Sequence, residues 1–285
     1  MLKPMRQLIS AFTVVAICLL AGASHAVPTT PFIEEMTWVE VRDAQRAGKT
    51  TLIIPVGGTE QNGPHMVLGK HNVRVQMLAG RIANALGNAL VAPVVAYVPE
   101  GNITPPTAHM RFPGTITIPD EAFKSLLDSA ARSFKQHGFT DVVLIGDHGG
   151  YQSQLKAVAA KLNKDWAGAT NGQYRAHFIG EYYQATQTTY VKALRAQGLS
   201  DAQIGTHAGS ADTALLMALS PAGVRGDLLA AAQREGLGSG SGSGSGIGSG
   251  ISGDPRAATA ALGQLGVDVV VAESVAAIKA AVGKR

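Results

Sequence analysis

Thr51-Leu52-Ile53-Ile54-Pro55-Val56-Gly57 is a short apolar run rich in β-branched residues. It opens directly into Gly58-Thr59-Glu60-Gln61-Asn62-Gly63-Pro64-His65-Met66-Val67-Leu68-Gly69-Lys70-His71-Asn72. The run has the length and composition of a buried strand, and the glycines after it let the backbone fold tightly around polar side chains. Residues 89–95, 141–146, 176–179 and 267–271 repeat the strand-like character. Helical patterns lie between them. Phe123, Leu126, Leu127, Ala130, Ala131 and Phe134 recur at three-and-four spacing, as do Leu155, Val158, Ala159 and Leu162. Pro119 followed by Asp120 and Glu121 reads as a helix start, because carboxylates favour the positive end of the helix dipole. Strands alternating with helices imply an α/β fold with a mostly parallel sheet covered on both faces. In such sheets ligands bind at the carboxyl ends of the strands.

Composition narrows the class. The 285 residues are 46% hydrophobic and 15% charged with a single Cys, which excludes a disulfide-stapled mini-protein and a highly charged disordered chain. Lys plus Arg number 24 against 20 Asp plus Glu, without a long basic run, so nucleic acid is not an expected partner. Lys3 and Arg6 precede the apolar residues 8–23, and Ser24-His25-Ala26 supplies small residues for a signal peptidase. Residues 1–26 therefore read as a signal peptide cleaved after Ala26, which makes the protein secreted or periplasmic and leaves no membrane segment after cleavage. The apolar run is shorter than the roughly 20 residues that span a bilayer. Cleavage also removes Cys18, so any metal must be held by nitrogen and oxygen. Residues 27–285 read as one domain. Within it, residues 236–253 are nearly all Gly and Ser and read as a flexible loop. Residues 254–285 complete the same sheet with a helix, a strand and a helix, being too few for a core of their own.

Three loops carry the chemistry. The first holds Glu60, His65 and His71; the second is Gly146-Asp147-His148-Gly149-Gly150-Tyr151; the third is His207-Ala208-Gly209-Ser210-Ala211-Asp212-Thr213, just before an apolar helix. Of the eight histidines, His25 leaves with the presequence, and four of the rest fall in these loops. Imidazole and carboxylate together suit Zn, Mn or Fe, and a metal so held can acidify a water and polarise a carbonyl. A Gly-flanked His is also a common hydrogen-bonded turn residue, so spacing by itself does not establish a metal.

In order along the chain, residues 55–71, His109-Met110-Arg111-Phe112-Pro113-Gly114-Thr115, residues 146–151, residues 207–213 and Gly253-Asp254-Pro255-Arg256-Ala257-Ala258-Thr259 resemble the motifs of the creatininase (creatinine amidohydrolase) family. The resemblance spans essentially the whole mature chain. It implies a three-layer α/β/α sandwich, a divalent-metal amidohydrolase acting on cyclic amides and related carbon–nitrogen bonds, and a homo-oligomer, often a hexamer. The departures are specific. Asn62 stands at a family His, His71 at the Asp that bridges two metals, and Gly146 and Tyr151 at two asparagines; Asp212 stands where many members have Glu, and Ser210 replaces another acidic residue.

An imidazole is a poor bridge between two cations, so the altered set implies one ion, Zn foremost with Mn or Fe as alternatives, on Glu60, His71 and His148, with Asp212 completing the set or orienting a ligand. In that reading a metal-bound hydroxide attacks the carbonyl of a small cyclic amide, lactam or lactone, and Asp212 or Asp147 accepts and returns the proton. His65 serves catalysis at the oxyanion or substrate, and His109, His207 and Tyr151 contact substrate. Each has a plainer alternative: His109 as a loop cap, His207 as a turn residue, Asp147 as a helix cap. Tyr182, Tyr183 and Tyr190 read as packing or interface residues on a helix. A relative that binds a small molecule or metal without turnover, and a purely structural subunit, are the other function classes the sequence leaves open.

Overall fold

The computed structural model describes residues 30–170, 172–231 and 248–283. The signal-peptide reading of residues 1–26 and residues 236–247 of the Gly/Ser stretch lie outside them. Four strands, Thr51–Val56 (β1), Ala89–Val91 (β2), Asp141–Gly146 (β3) and Arg175–Phe178 (β4), form one all-parallel sheet in the order β2-β1-β3-β4. Among the described residues ten α-helices accompany them: Trp38–Arg46 (α1), Lys70–Leu86 (α2), Asp120–Gln136 (α3), Gln152–Thr170 (α4), Glu181–Gln187 (α5), Thr189–Ala196 (α6), Asp201–Ile204 (α7), Ser210–Leu219 (α8), Gly226–Ala231 (α9) and Ala260–Val282 (α10).

The pleat divides the core. Ile53, Val143 and Ile145 point to one face, where they pack with Leu78 and Ile82 of α2, Tyr182 of α5, Leu194 of α6, Leu215 of α8 and Val270 of α10. Leu52, Ile54, Val142 and Leu144 point to the other, against Ala44 of α1, Phe123 and Leu127 of α3 and Leu155 and Leu162 of α4. Successive strand residues alternate faces, so an unbroken apolar run feeds two cores at once. Each fully buried Leu or Ile contributes about 1.5–3 kcal/mol relative to exposure. The result is the expected α/β/α layering. No helix among the described residues is long and apolar enough to cross a membrane.

Two elements differ from the sequence reading. The strand expected over 89–95 stops at Val91, and beyond Pro93 it touches β1 again only at the isolated Val56–Val95 bridge. The strand expected over 267–271 is the middle of the 23-residue α10. Gly266, Val267, Val270, Ser274 and Ile278 are buried at helical spacing, and a short apolar run cannot be told from a buried helix by composition alone. Gly263 brings α10 close to α8: a Cβ there would strike the Ala214 carbonyl oxygen.

The end of the Gly/Ser stretch is held in place. Ser252 and His207 exchange backbone hydrogen bonds in both directions (Ser252 N to His207 O 2.8 Å, His207 N to Ser252 O 3.2 Å), and Ile251 is buried against Met66 and Leu216.

Candidate functional site

The loops after β1 and β3 meet the N-termini of α2 and α8 at the carboxyl end of the sheet. The chain leaves β1 through Gly57, which lies so close to Asn72 that a Cβ would overlap the Asn72 backbone. Asn72 Oδ1 accepts from the Gly58 N–H (2.9 Å), and Asn62 Nδ2 donates to the carbonyls of Glu60 (3.0 Å) and Val67 (3.2 Å). These bonds fold the loop so that Glu60 points inward with no exposed side-chain surface. Asn62 is thus a fastener of the loop.

Glu60 has two different sides. Its Oε1 lies 2.8 Å from His71 Nε2, 3.9 Å from Lys70 Nζ and 3.8 Å from His207 Nδ1. Its Oε2 lies 3.1 Å from His109 Nε2 and 3.6 Å from His148 Nε2, yet accepts no hydrogen bond among the described residues. Burial pushes the Glu60 carboxyl up, but His71, His148 and Lys70 together hold it far below the usual range.

Behind His71 stands Asp147, with Oδ2 2.6 Å from His71 Nδ1 and 3.1 Å from Arg74 Nε, and Oδ1 accepting from Tyr182 Oη (2.8 Å) and Arg74 Nη2 (3.3 Å). Arg74 Nη1 also donates to Asp212 Oδ1 (2.5 Å), while Asp212 Oδ2 accepts the Ala208 N–H (2.9 Å) and lies 3.3 Å from Lys70 Nζ. Burial opposes ionisation of both aspartates; the adjacent cations, Arg74 foremost for Asp147 and Lys70 foremost for Asp212, more than offset it. A carboxylate held ionised this firmly is a weak base. Asp147 and Asp212, expected to pass protons, are therefore engaged in orienting other side chains.

The ion ligands expected from sequence are regrouped. Single ligand atoms of Glu60, Glu100, His109 and His148 all lie within 4.8 Å of one another. His71 has both ring nitrogens against carboxylates, and Asp212 is taken up by Lys70 and Arg74, which leaves neither a free ligand atom toward this group. Glu60 and His148 belong to both sets. Glu100 was not among the expected residues. It is 3% exposed, its Oε1 accepts no hydrogen bond among the described residues and lies 3.6 Å from His148 Nδ1. Burial first, then the neighbouring Glu60, pushes its carboxyl up to about 9. Two buried carboxylate oxygens without donors, facing two imidazoles, fit a divalent cation in chemistry and in charge.

The remaining site residues sort by depth. His109, His148 and His207 retain 22%, 19% and 18% side-chain exposure, so they line the open side. His207 Nε2 lies 3.0 Å from the Gln61 carbonyl oxygen, and the Gln61 side-chain amide lies 3.1 Å from His109 Nδ1. Burial lowers His148 to about 3 and His207 to about 4, and lowers His109 as well, so these imidazoles are neutral at physiological pH.

His65 and Tyr151 do not reach the open side. His65 is fully buried with Nε2 2.9 Å from Thr213 Oγ1, and Tyr151 is fully buried with its hydroxyl on the carbonyls of Val56 (2.8 Å) and Gly57 (2.5 Å) and the His148 N–H (3.1 Å). Burial raises the Tyr151 hydroxyl well above its usual range. The direct substrate or oxyanion contact expected of each gives way to fastening the loops that carry the site. Tyr182 and Tyr190 are buried as expected of packing residues, and Tyr182 additionally orients Asp147.

Lys70 and Arg74 also escaped sequence reasoning, although a signal was present. Both fall in the first turns of α2, one turn apart on one face. Cations are unfavourable at that end of a helix dipole, so two of them imply acidic partners.

A family model described as creatinine amidohydrolase, Creatininase, matches residues 34–278. The mycofactocin precursor peptide peptidase of Mycolicibacterium smegmatis is 30% identical over 224 residues, covering 75% of this chain and 78% of that protein. The creatinine amidohydrolase of Pseudomonas putida is 25% identical over 194 residues, covering 67% of this chain and 72% of that protein. A Zn-Zn type mutant creatininase superposes with a TM-score of 0.71 at 22% identity, covering 89% of this chain and 99% of that one. With five motifs in order, the parallel three-layer fold and a His/Glu cluster at the strand ends, the chain belongs to the creatininase family of hydrolases.

Proposed function

We propose that this chain hydrolyses a carbon–nitrogen bond in a small cyclic amide or lactam, or the related bond of a lactone, with one divalent ion held by Glu60, Glu100, His109 and His148. The observation that carries the reading is the pair of buried, donor-free oxygens, Glu60 Oε2 and Glu100 Oε1, facing the two imidazoles. A divalent ion there would supply a water acidified for attack and a Lewis acid for the scissile carbonyl.

The chain's own groups do the rest. Asp147, itself fixed by Tyr182 and Arg74, orients His71, and His71 aims Glu60. His207, neutral and on the open side with Nδ1 toward Glu60, is placed to hydrogen-bond the substrate. His109 and His148 border the substrate's approach. Relatives named for a cyclic amide and for a peptide both support amide cleavage as the reaction type. The presequence reading supports action outside the cytoplasm, and the family resemblance supports a homo-oligomer.

Elemental analysis of protein purified without chelator, beside a His148→Ala variant, tests the reading. About one equivalent of Zn, Mn or Fe, lost in the variant, supports it and directs a screen of cyclic amides, lactams and lactones. An ion that binds without turnover of any of them moves the assignment to a binding protein.

A further inference from the structure

The side chain of Gln61 is buried, and one end of its amide is tied down. Its Oε1 accepts the Gly63 N–H (2.9 Å), and Gly250 lies so close to it that a Cβ there would overlap the oxygen. The Gly63 donor fixes which end of the amide is which. Nε2, which can only donate, is therefore the end turned to His109 Nδ1 (3.1 Å) and His207 Nε2 (3.0 Å). Both contacts have a chemical consequence. His109 Nδ1 must accept, so the proton of this neutral ring sits on Nε2, which stands 3.1 Å from Glu60 Oε2 without a hydrogen bond to it. His207 Nε2 faces the Gln61 amide N–H and, at 3.0 Å, the Gln61 backbone carbonyl oxygen at once, so either tautomer of that ring loses one of the two bonds.

We propose that Gln61 is a positioning residue that selects the tautomer of His109, and that ligation of an ion by His109 requires the Gln61 amide to reverse. An imidazole that ligates through Nε2 carries its proton on Nδ1 and hands it to an acceptor there. In the arrangement seen, Gln61 presents a donor at that point and opposes ligation. Half a turn about the last bond of its side chain exchanges two groups of nearly equal shape and puts Oε1 in the donor's place. Oε1 then receives the Nδ1–H of His109 and shares the Nε2–H of His207 with the backbone carbonyl. The cost is the bond from the Gly63 N–H, one neutral hydrogen bond against two made. This rests on the reading of Glu60, Glu100, His109 and His148 as an ion site, and the experiment separates the two.

Protein with ¹⁵N-labelled histidines is followed by long-range ¹H–¹⁵N correlation spectra at neutral pH, stripped of metal and then saturated with Zn²⁺, with His109 assigned through His109→Gln. In the stripped wild type the His109 proton should be on Nε2, and Zn²⁺ should move it to Nδ1. Gln61→Glu offers one carboxylate oxygen to the Gly63 N–H and the other to His109 Nδ1–H without any reversal. Its His109 proton should be on Nδ1 before Zn²⁺ is added, and its Zn²⁺ affinity by calorimetry should rise about tenfold or more, the scale of changes in groups that support a ligand. An added negative charge by itself would raise affinity without changing the tautomer. A proton on Nδ1 in the stripped wild type overturns the proposal, as does a proton left on Nε2 in stripped Gln61→Glu or an unchanged affinity in that variant. A wild type that binds no Zn²⁺, or binds it with the His109 proton still on Nε2, overturns instead the ion site on which the proposal rests. Should Gln61→Glu fail to fold by circular dichroism, the tautomer of the stripped wild type remains decisive.

Discussion

The Nδ1 atom of His71 lies 2.6 Å from Oδ2 of Asp147, and the same ring turns its Nε2 to Glu60 Oε1 at 2.8 Å. A single imidazole thereby connects the loop after β3 to the loop after β1 in the interior. Both contacts satisfy carboxylates that would otherwise face the interior with fewer partners. His71→Ala should cost about 3–6 kcal/mol, because it removes two hydrogen bonds to buried carboxylates worth about 1.5–3 kcal/mol each. Urea unfolding at neutral pH measures it, and a loss within experimental error would show that the ring is dispensable to the fold.

Glu100→Gln removes one donor-free oxygen's charge while keeping the side chain's shape. Its effect on ion affinity should exceed the roughly 10–100-fold typical of groups that merely support a ligand. Its thermal unfolding in the absence of metal should change little or rise, because burial already opposes the charged form. Calorimetric titration with Mn²⁺ checks the first statement and a melting curve in chelator the second; unchanged affinity would remove Glu100 from the ligand set.

Acid stability should depend on His65. Burial lowers this imidazole to about 4, against an ordinary value of 6.5 in the unfolded chain. Between those values the unfolded state binds more protons, so stability is complete above pH 6.5 and declines as pH falls toward 4, by about 3 kcal/mol at most. The comparison is the difference in urea midpoint between pH 7 and pH 5 for the wild type and His65→Asn. The variant should show the smaller drop, and equal drops would place the acid sensitivity elsewhere.

Gly263→Ala should destabilise by about 1–3 kcal/mol, as overpacking does, because its Cβ would strike backbone of α8 that has no side chain to move aside. A variant at wild-type stability by thermal unfolding would mean that α10 and α8 leave room for the added methyl group.

The layered fold was legible because the strands are short, apolar and bounded by glycine-rich turns, and because α3 and α4 carry unmistakable three-and-four patterns. The exception is instructive. Residues 267–271 have a strand's composition and a helix's position, and the reason is that α8, α5, α2 and α6 all pack against α10, so apolar residues on several of its sides are at least partly buried and the amphipathic signal is weak.

At the site, residue type in the sequence determined which loops carry the chemistry: Glu60, His148 and His207 were identifiable from glycine-bounded polar clusters after apolar runs. Tertiary structure decided their partners. Glu100 and His109 lie on a long irregular segment between β2 and α3, and only its path across the strand ends brings them within 4.8 Å of Glu60 and His148. Lys70 and Arg74 are ordinary helix residues until α2 turns them toward Asp212 and Asp147. Spacing along a chain constrains what neighbours in sequence can do together, whereas ligand sets and buried ion pairs depend on distances between residues far apart in sequence. Those distances exist only once the sheet has brought its loops to one edge.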